Sequence, residues 1–245
     1  MKRVKLVVAY DGTNYHGWQI QPNEISVEQV LNEKLSALTG EDIKVIGASR
    51  TDAGVHAIGN VAVFDTESRI PGEKFSYALN QRLPEDIRIQ HSQEVSDDFH
   101  PRHCECRKTY RYQIQNAEFP IPTRRLYAHS ICYELDIKLM QEAAKHLIGE
   151  HDFKSFCSTK TSVTDTVRTI YDIQVKKEDQ MVSIFVNGNG FLYNMVRIIA
   201  GTLIDVGLKR RSPEEIAYML ECQDRQIAGP TAPAKGLTLM KIDYL

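Results

Sequence analysis

The segment SVEQVLNEKLSALTG, residues 26–40, carries signals for the start, the buried face and the end of a helix. Ser26 followed by Gln29 forms a capping box, and Gly40 is the residue type that commonly ends helices in a left-handed conformation. Between them, apolar residues recur at helical spacing, at Val27, Val30, Leu31, Leu35 and Leu38. The sequence therefore predicts one amphipathic helix over residues 26–40.

Strand-like segments surround this helix in the first half of the chain. Residues 3–10 are apolar and β-branched and predict a strand, and residues 72–82, which follow a proline, predict a second helix. Three more segments have the composition of strands, at residues 43–48, 60–65 and 86–95. The predicted order is β-α-β-β-α-β.

The second half repeats that order with insertions. Its predicted strands cover residues 109–115, 167–175, 181–187 and 237–244, and its predicted helices start at Asp136, near residue 191 and at Ser212. We therefore predict an α+β fold of two ferredoxin-like (RRM-like) units whose sheets combine around a central cleft. The predicted N-terminal domain covers residues 1–104, and the predicted C-terminal domain covers residues 105–245.

Composition limits the class of protein. A chain of 245 residues with 42% hydrophobic and 25% charged residues is typical of a globular protein. The longest apolar stretch, residues 191–208, carries Asn194, Arg197 and Asp205, so we expect no membrane span. The 5 cysteines have the irregular spacing of reduced thiols, and the N-terminal apolar run is too short for an export signal. These features predict a cytoplasmic protein.

The charge of the chain gives no general attraction to nucleic acid, because the formal net charge is −2. Basic residues do cluster locally, at Arg102, Arg107, Lys108 and Arg111, at Arg124 and Arg125, and at residues 209–211. Any anion-binding surface must therefore be local. A solvated charged face is the alternative interpretation of such clusters.

Four residues of metal-ligating types lie close together in sequence, namely His100, His103, Cys104 and Cys106. A structural zinc site needs a second pair of ligands at suitable spacing, and the sequence offers none. We therefore expect no metal.

The segment GASRTDAGVHA, residues 47–57, lies between two predicted strands and is rich in glycine and other small residues. Such a loop can bring its backbone close to a ligand. Arg50 and Asp52 are two residues apart, so both can lie at one loop tip, where the guanidinium would keep the carboxylate ionised. An ionised, oriented carboxylate is a nucleophile or a base. The alternative is an Asx turn with a surface ion pair.

The predicted helix near residue 191 has one unusual charge. At about 100° per residue its apolar side chains share one face, and Arg197 points about 150° away from it, beside Asn194 and Gly201. A lone arginine on such an apolar helix either reaches solvent or lines a cleft. Both interpretations stay open on spacing alone.

Basic and aromatic residues alternate in the predicted strand RKTYRY, residues 107–112. A period of two puts Tyr110 and Tyr112 on one face and Arg107, Thr109 and Arg111 on the other. A tyrosine ring there could stack on a nucleic-acid base. For Tyr112 we favour the alternative, which is burial in the core.

The segment RTDAGVHA, residues 50–57, resembles the active-site motif of the tRNA pseudouridine synthase A family, the tRNA pseudouridine(38–40) synthases. The resemblance extends along the whole chain through AYDG (residues 9–12), GWQ (17–19), LPEDI (83–87), DFH (98–100), TYRY (109–112), GEHDF (149–153), FL (191–192), MVR (195–197), AP (232–233) and GL (236–237). Two positions depart from the family pattern. Ser49 stands where glycine is expected, and Ile20 stands where a basic residue is common, which weakens a potential RNA contact.

The resemblance implies an activity. Enzymes of this family isomerise uridine to pseudouridine at nucleotides 38, 39 and 40 in the anticodon arm of tRNA, as homodimers, without a cofactor or a metal. By this resemblance Asp52 would be the nucleophile. Arg197 would pair with Asp52 across the cleft, and Tyr110 would stack on the flipped uracil and take the C5 proton.

The resemblance also implies how the tRNA is held. Arg50 would contribute to the loop or bind a phosphate, and Arg107 and Arg111 would contact the substrate. Phosphate contacts of this kind give salt-sensitive affinity with little sequence readout.

Two other classes of protein compete with this hypothesis. The first is a catalytically silent pair of RRM-like RNA-binding domains, which would need an RNP-type aromatic signature that the sequence only loosely approaches. The second is a small-molecule enzyme that uses Asp52 and Arg197, and its usual phosphate loop or cofactor motif is missing from the sequence. Formation of pseudouridine in a tRNA transcript would separate all three.

Overall fold

The computed structural model describes residues 1–159 and 163–245, which form two compact units. Unit 1 comprises Met1–Cys106 and Thr238–Leu245, and unit 2 comprises Arg107–Leu237. Helices and strands are mixed in the chain, so the α+β prediction is confirmed. The last strand belongs to unit 1, whereas the predicted C-terminal domain, residues 105–245, includes it. The division into domains 1–104 and 105–245 stays a prediction.

Unit 1 is a sheet with two helices. Its elements are β1 (Lys2–Tyr10), α1 (Val27–Thr39), β2 (Ile46–Gly47), β3 (His56–Thr66), α2 (Phe75–Asn80), β4 (Ile87–Val95) and, after all of unit 2 in the chain, β10 (Leu237–Tyr244). Strand β1 pairs antiparallel with β3 and β4. The other edge of β3 pairs antiparallel with β2 at Ala62 and Val63, and parallel with β10 at His56 and Ala57.

Helix α1 has the ends that the sequence predicts. The Ser26 hydroxyl accepts a hydrogen bond from the Gln29 backbone N–H at 3.3 Å, and Gly40 adopts a left-handed conformation with a φ of 77°. The Gln29 side chain donates to Glu33 at 2.9 Å, so only half of a capping box forms. The signals for this helix are local, and the prediction is confirmed.

The predicted strand over residues 43–48 is mostly wrong, because only Ile46–Gly47 pairs with β3. The Ile43 N–H donates to the Ser36 hydroxyl at 2.9 Å, and the Val45 N–H donates to the Asn32 side chain at 2.8 Å. These backbone groups bond to helix α1 and not to a sheet neighbour. Side chains of α1 therefore replace the strand ladder over these residues.

Unit 2 is also a sheet with helices. Its elements are β5 (Cys106–Asn116), β6 (His129–Ile131), α3 (Ile137–Lys145), β7 (Gly149–Asp152), β8 (Val167–Glu178), β9 (Met181–Gly188), α4 (Met195–Gly207) and α5 (Glu215–Cys222). Strands β5, β9, β8 and β7 are neighbours in that order and antiparallel, and β6 pairs parallel with β5. The sequence predicts the three long strands, and the short β6 and β7 were missed.

Helix α4 begins at Met195 and not near residue 191, because Asn194 has a left-handed backbone with a φ of 60°. The segment around Pro230 packs so closely on α4 that a Cβ on Gly201 would lie 1.8 Å from the Pro230 carbonyl oxygen. Only glycine permits this approach.

In the described ranges, no helix has both the length and the run of apolar residues that crossing a bilayer needs.

An ion pair joins the first and third strands of unit 1. The Arg3 guanidinium donates two hydrogen bonds to the Asp65 carboxylate, each of 2.8 Å, and a third of 3.1 Å to the Phe99 carbonyl. The hydrogen bond from Arg3 lowers the pKa of Asp65 below its usual value. Because the folded pKa is the lower one, the pair stabilises the fold above the unfolded pKa of about 3.9, and this stabilisation is lost as the pH falls through the folded pKa.

We expect Asp65→Asn to reduce the free energy of unfolding by up to about 1 kcal/mol at neutral pH. A neutral amide cannot form the pair of charge-assisted hydrogen bonds that the carboxylate accepts from Arg3. The difference from the parent protein should narrow as the pH is lowered toward about 3. Urea unfolding at several pH values measures this. Asp42→Asn is the matched control, since Asp42 is 84% exposed in its pair with Lys44. A difference that is independent of pH would contradict the prediction.

Candidate active site

The loop between β2 and β3, residues 48–55, carries the two charged residues of the sequence motif. Its position is set by the segment of residues 10–18, which follows β1. The Tyr10 and Thr51 hydroxyls are hydrogen bonded at 2.7 Å. The Trp18 N–H donates to the Thr51 carbonyl at 3.0 Å, and the Gly54 N–H donates to the Tyr15 carbonyl at 3.2 Å. The backbone on both sides of Asp52 is thus fixed.

Two glycines allow this close contact. Gly17 has a φ of 84°, and a Cβ there would lie 2.4 Å from the Thr51 carbonyl oxygen. A Cβ on Gly12 would lie 2.0 Å from the Val55 carbonyl oxygen. Any larger residue would push the two segments apart. The motif glycines of residues 9–12 and 17–19 therefore act by permitting contact with the loop.

The two charged residues of the loop differ in their surroundings. Arg50 is exposed, whereas Asp52 is half-buried. The Val55 N–H donates to the Asp52 carbonyl at 3.1 Å and closes a turn, and Gly54 has a φ of 77°. At the end of the loop His56 is buried, and its Nδ1 accepts from the Gly12 N–H at 3.0 Å. The turn holds the Asp52 backbone in one conformation.

In unit 2, strand β5 buries both of its tyrosines. Tyr112 is fully buried, its hydroxyl donates to the Pro233 carbonyl at 2.9 Å, and burial raises its pKa. The prediction that Tyr112 belongs to the core is confirmed. Tyr110 is 7% exposed, and its ring meets Phe191 edge to face with centroids 5.2 Å apart.

The arginines of β5 lie on the opposite face of the strand, as the period of two predicts. The Arg107 guanidinium lies over the Tyr171 ring at 4.6 Å. Arg111 is half-buried, and desolvation lowers its pKa. The same face holds a hollow of about 340 Å³ lined by Thr109, Asp172, Gln174, Lys176, Phe185 and Asn187. Arg107 and Arg111 therefore do not share a surface with Tyr110.

Arg197 differs from the rest of helix α4, since every other residue of this helix is buried. Its Nε donates to the Ala232 carbonyl at 2.8 Å, and its Nη1 donates to the Asn194 side-chain oxygen at 2.8 Å. The helical spacing predicts Asn194 as its neighbour. The Ala232 contact was missed, because it joins residues far apart in sequence.

Unit 1 thus contains Arg50 and Asp52, and unit 2 contains Tyr110, Arg197, Arg107 and Arg111. The predicted pairing of Asp52 with Arg197 joins residues of different units and stays a prediction. Among the residues that the structure describes, no group of three histidine, cysteine, aspartate or glutamate side chains is arranged to hold a metal ion.

The sequence profile of the family described as tRNA pseudouridine synthase matches residues 6–103 and 143–245 of this chain. These ranges include the 48–55 loop and helix α4. The chain belongs to the tRNA pseudouridine synthase family. The tRNA pseudouridine synthase A of Ruminiclostridium cellulolyticum is 52% identical over 245 residues, covering 100% of both chains. Those of Thermoanaerobacter sp. (strain X514) and Brevibacillus brevis are each 49% identical over 244 residues, again covering 100% of both chains.

The family membership makes the anchoring of the loop testable through turnover. We expect Tyr10→Phe to lower the kcat of pseudouridine formation about fivefold, because Thr51 loses a buried hydrogen bond worth roughly 1 kcal/mol next to Asp52. Tyr15→Phe is the matched control. Tyr15 is equally buried, and its hydroxyl donates to Asp86 at 2.7 Å. Both variants should lose similar thermal stability, measured as Tm. Equal kcat for the two variants would count against the loop argument.

Proposed function

We propose that this protein isomerises uridine to pseudouridine at nucleotides 38, 39 and 40 in the anticodon arm of tRNA, with Asp52 as the nucleophile. The profile match and the full-length relatives support the reaction. The single observation that supports Asp52 is the loop that carries it. Hydrogen bonds at Thr51 and Gly54 fix the backbone on either side of a half-buried carboxylate.

The chemistry requires a carboxylate that is ionised and oriented. The bond from the ribose to the uracil nitrogen must break, the base must rotate, and a bond to carbon must form. The carboxylate can attack the ribose C1′ or the uracil C6, or it can assist loss of the 2′ proton. Each route needs Asp52 in its charged form. We propose that Arg197 supplies the positive charge that holds it there, because its guanidinium is fixed by Asn194 and Ala232.

Tyr110 is the proposed residue that stacks on the flipped uracil and accepts the C5 proton. The edge contact with Phe191 supports this role, because it limits rotation of the ring. A base acting in a nearly dry environment transfers a proton over a short, defined path.

Arg50, Arg107 and Arg111 are the proposed tRNA contacts. Arg107 and Arg111 lie on the other face of β5 from Tyr110, so the phosphates they bind cannot belong to the nucleotide that Tyr110 contacts. The stacking of Arg107 on Tyr171 orients a planar guanidinium for a phosphate. We therefore assign Arg50 to the neighbourhood of the target nucleotide and the other two to a separate part of the tRNA.

The architecture proposed for each unit is ferredoxin-like. In unit 1 the supporting observation is the antiparallel neighbour order β4, β1, β3, β2. In unit 2 the supporting observation is the antiparallel order β5, β9, β8 with α3 packed on β8. We also propose a cytoplasmic homodimer that works without a metal or a cofactor, as the resemblance implies.

We expect the parent protein to form pseudouridine at nucleotides 38 to 40 of an unmodified tRNA transcript. We expect Asp52→Asn to abolish product, because the change removes the nucleophile. Its affinity for tRNA should stay within about twofold of the parental value, because the side-chain volume is kept. Mapping of pseudouridine at nucleotide resolution and a filter-binding assay measure both. Asp42→Asn, on the surface of the same unit, is the control. Product from the Asp52 variant at the parental rate would refute the nucleophile. Binding without product by the parent protein would favour the silent RNA-binding hypothesis.

For Tyr110→Phe we expect tRNA binding to survive and product formation to fall by at least about a hundredfold, the usual scale of general acid–base catalysis. The phenylalanine ring keeps the stacking surface and the contact with Phe191, and it lacks the hydroxyl. Single-turnover rates of product formation measure this. Tyr133→Phe, at an exposed tyrosine of unit 2, is the control. A normal product yield from Tyr110→Phe would assign the proton transfer to another group.

A further inference from the structure

We infer that Asn194 is a positioning residue that holds the Arg197 guanidinium in its working orientation. This inference rests on the proposed role of Arg197 in unit 2. It concerns a residue that the sequence analysis used only to describe a helix face.

The Asn194 side chain bridges two groups. Its Nδ2 donates to the Ser158 hydroxyl at 2.8 Å, and its Oδ1 accepts from Arg197 Nη1 at 2.8 Å. Because a guanidinium can only donate, the amide oxygen must face Arg197, and the amide nitrogen is then left to donate to the Ser158 hydroxyl, which can accept. Ser158 is thus the second member of the same arrangement.

The guanidinium is held at two nitrogens. Nη1 is bound by Asn194, and Nε is bound by the Ala232 carbonyl at 2.8 Å. Two acceptors at different nitrogens of a planar group fix its plane as well as its position. Loss of the Asn194 contact removes the acceptor at Nη1 and weakens the hold on the plane of the guanidinium.

The backbone of Asn194 indicates that this contact has a cost. Asn194 precedes helix α4 as its N-cap residue, with a φ of 60° and a ψ of 7°. An N-cap asparagine usually has an extended backbone, and its side chain accepts from the N–H groups of the first turn. Here the side chain makes no such cap bond. The residue therefore combines a strained backbone with a side chain directed away from its usual partner.

Helix entry alone does not explain this choice of residue. Glycine adopts a positive φ without strain, so a purely structural requirement would favour glycine at residue 194. Asparagine is among the residues that adopt a positive φ most readily after glycine, so at residue 194 it satisfies the backbone and also supplies the amide that bonds Arg197.

The test uses two substitutions that make the same backbone change. Gln223 is exposed, ends helix α5 and has a φ of 54°, so Gln223→Gly is the matched control for Asn194→Gly. Glycine relieves the positive φ in both variants. Asn194→Gly also loses the bonds to Ser158 and Arg197, so its Tm should be the lower of the two. Gln223→Gly should keep full turnover. Asn194→Gly should lower kcat at least about tenfold, with the KM for tRNA within about twofold, since the lost bond is to a charged group.

A double-mutant cycle with Arg197→Lys separates positioning from a structural effect. If Asn194 acts through the guanidinium, the loss of kcat in the double variant should be smaller than the product of the two single losses. Ser158→Ala should also lower kcat, by less than Asn194→Gly does. It serves as the replacement test if Asn194→Gly does not fold.

The outcomes distinguish this inference from the function on which it rests. Full turnover by Arg197→Lys would overturn the proposed role of Arg197 and this inference with it. Two results would overturn the positioning role alone, both with Arg197→Lys impaired. In the first, Asn194→Gly is fully active. In the second, the loss of kcat in the double variant equals the product of the two single losses. Unchanged kcat in Ser158→Ala would do the same if Asn194→Gly is unfolded.

Discussion

The close contact between residues 10–18 and the 48–55 loop is the constraint on which the candidate site depends. Its hydrogen bonds are mostly between backbone groups. The two segments of the chain must therefore approach more closely than larger side chains would allow. Gly12 and Gly17 permit that approach, and the Tyr10 hydroxyl adds a buried bond to Thr51. A carboxylate that must stay oriented needs a backbone that cannot relax. The loop therefore gains its order from a neighbouring segment more than from its own sequence.

Much of the fold could be predicted because its signals are local. Helix α1 has its cap, its apolar spacing and its terminal glycine within residues 26–40, and the structure places its ends within one residue of the prediction. The predictions failed where the chain depends on distant groups. Val45 and Ile43 bond to side chains of α1 and lose their strand ladder, and the entry to α4 depends on the backbone of Asn194. Propensity carries no information on such partners.

The candidate site divides in the same way. The motif of residues 50–57 identified the family, and the profile and relatives confirm it. Strand alternation correctly put Arg107 and Arg111 on the face away from Tyr110. The contacts that orient Arg197 could be predicted only in part, because helical spacing brings Asn194 beside it and says nothing of the Ala232 carbonyl. Hydrogen bonds between residues that are far apart in sequence can be located only in the three-dimensional structure.

Strand β10 gives the protein an unusual order of assembly. It pairs with β3 in unit 1, yet it follows all of unit 2 in the chain. A ribosome therefore releases most of unit 1 first, while the edge of β3 at His56 and Ala57 still lacks its neighbour. An open strand edge is a site of aggregation, so the nascent chain carries this risk until translation of unit 2 is complete. For the same reason no single cut in the polypeptide can separate the two units.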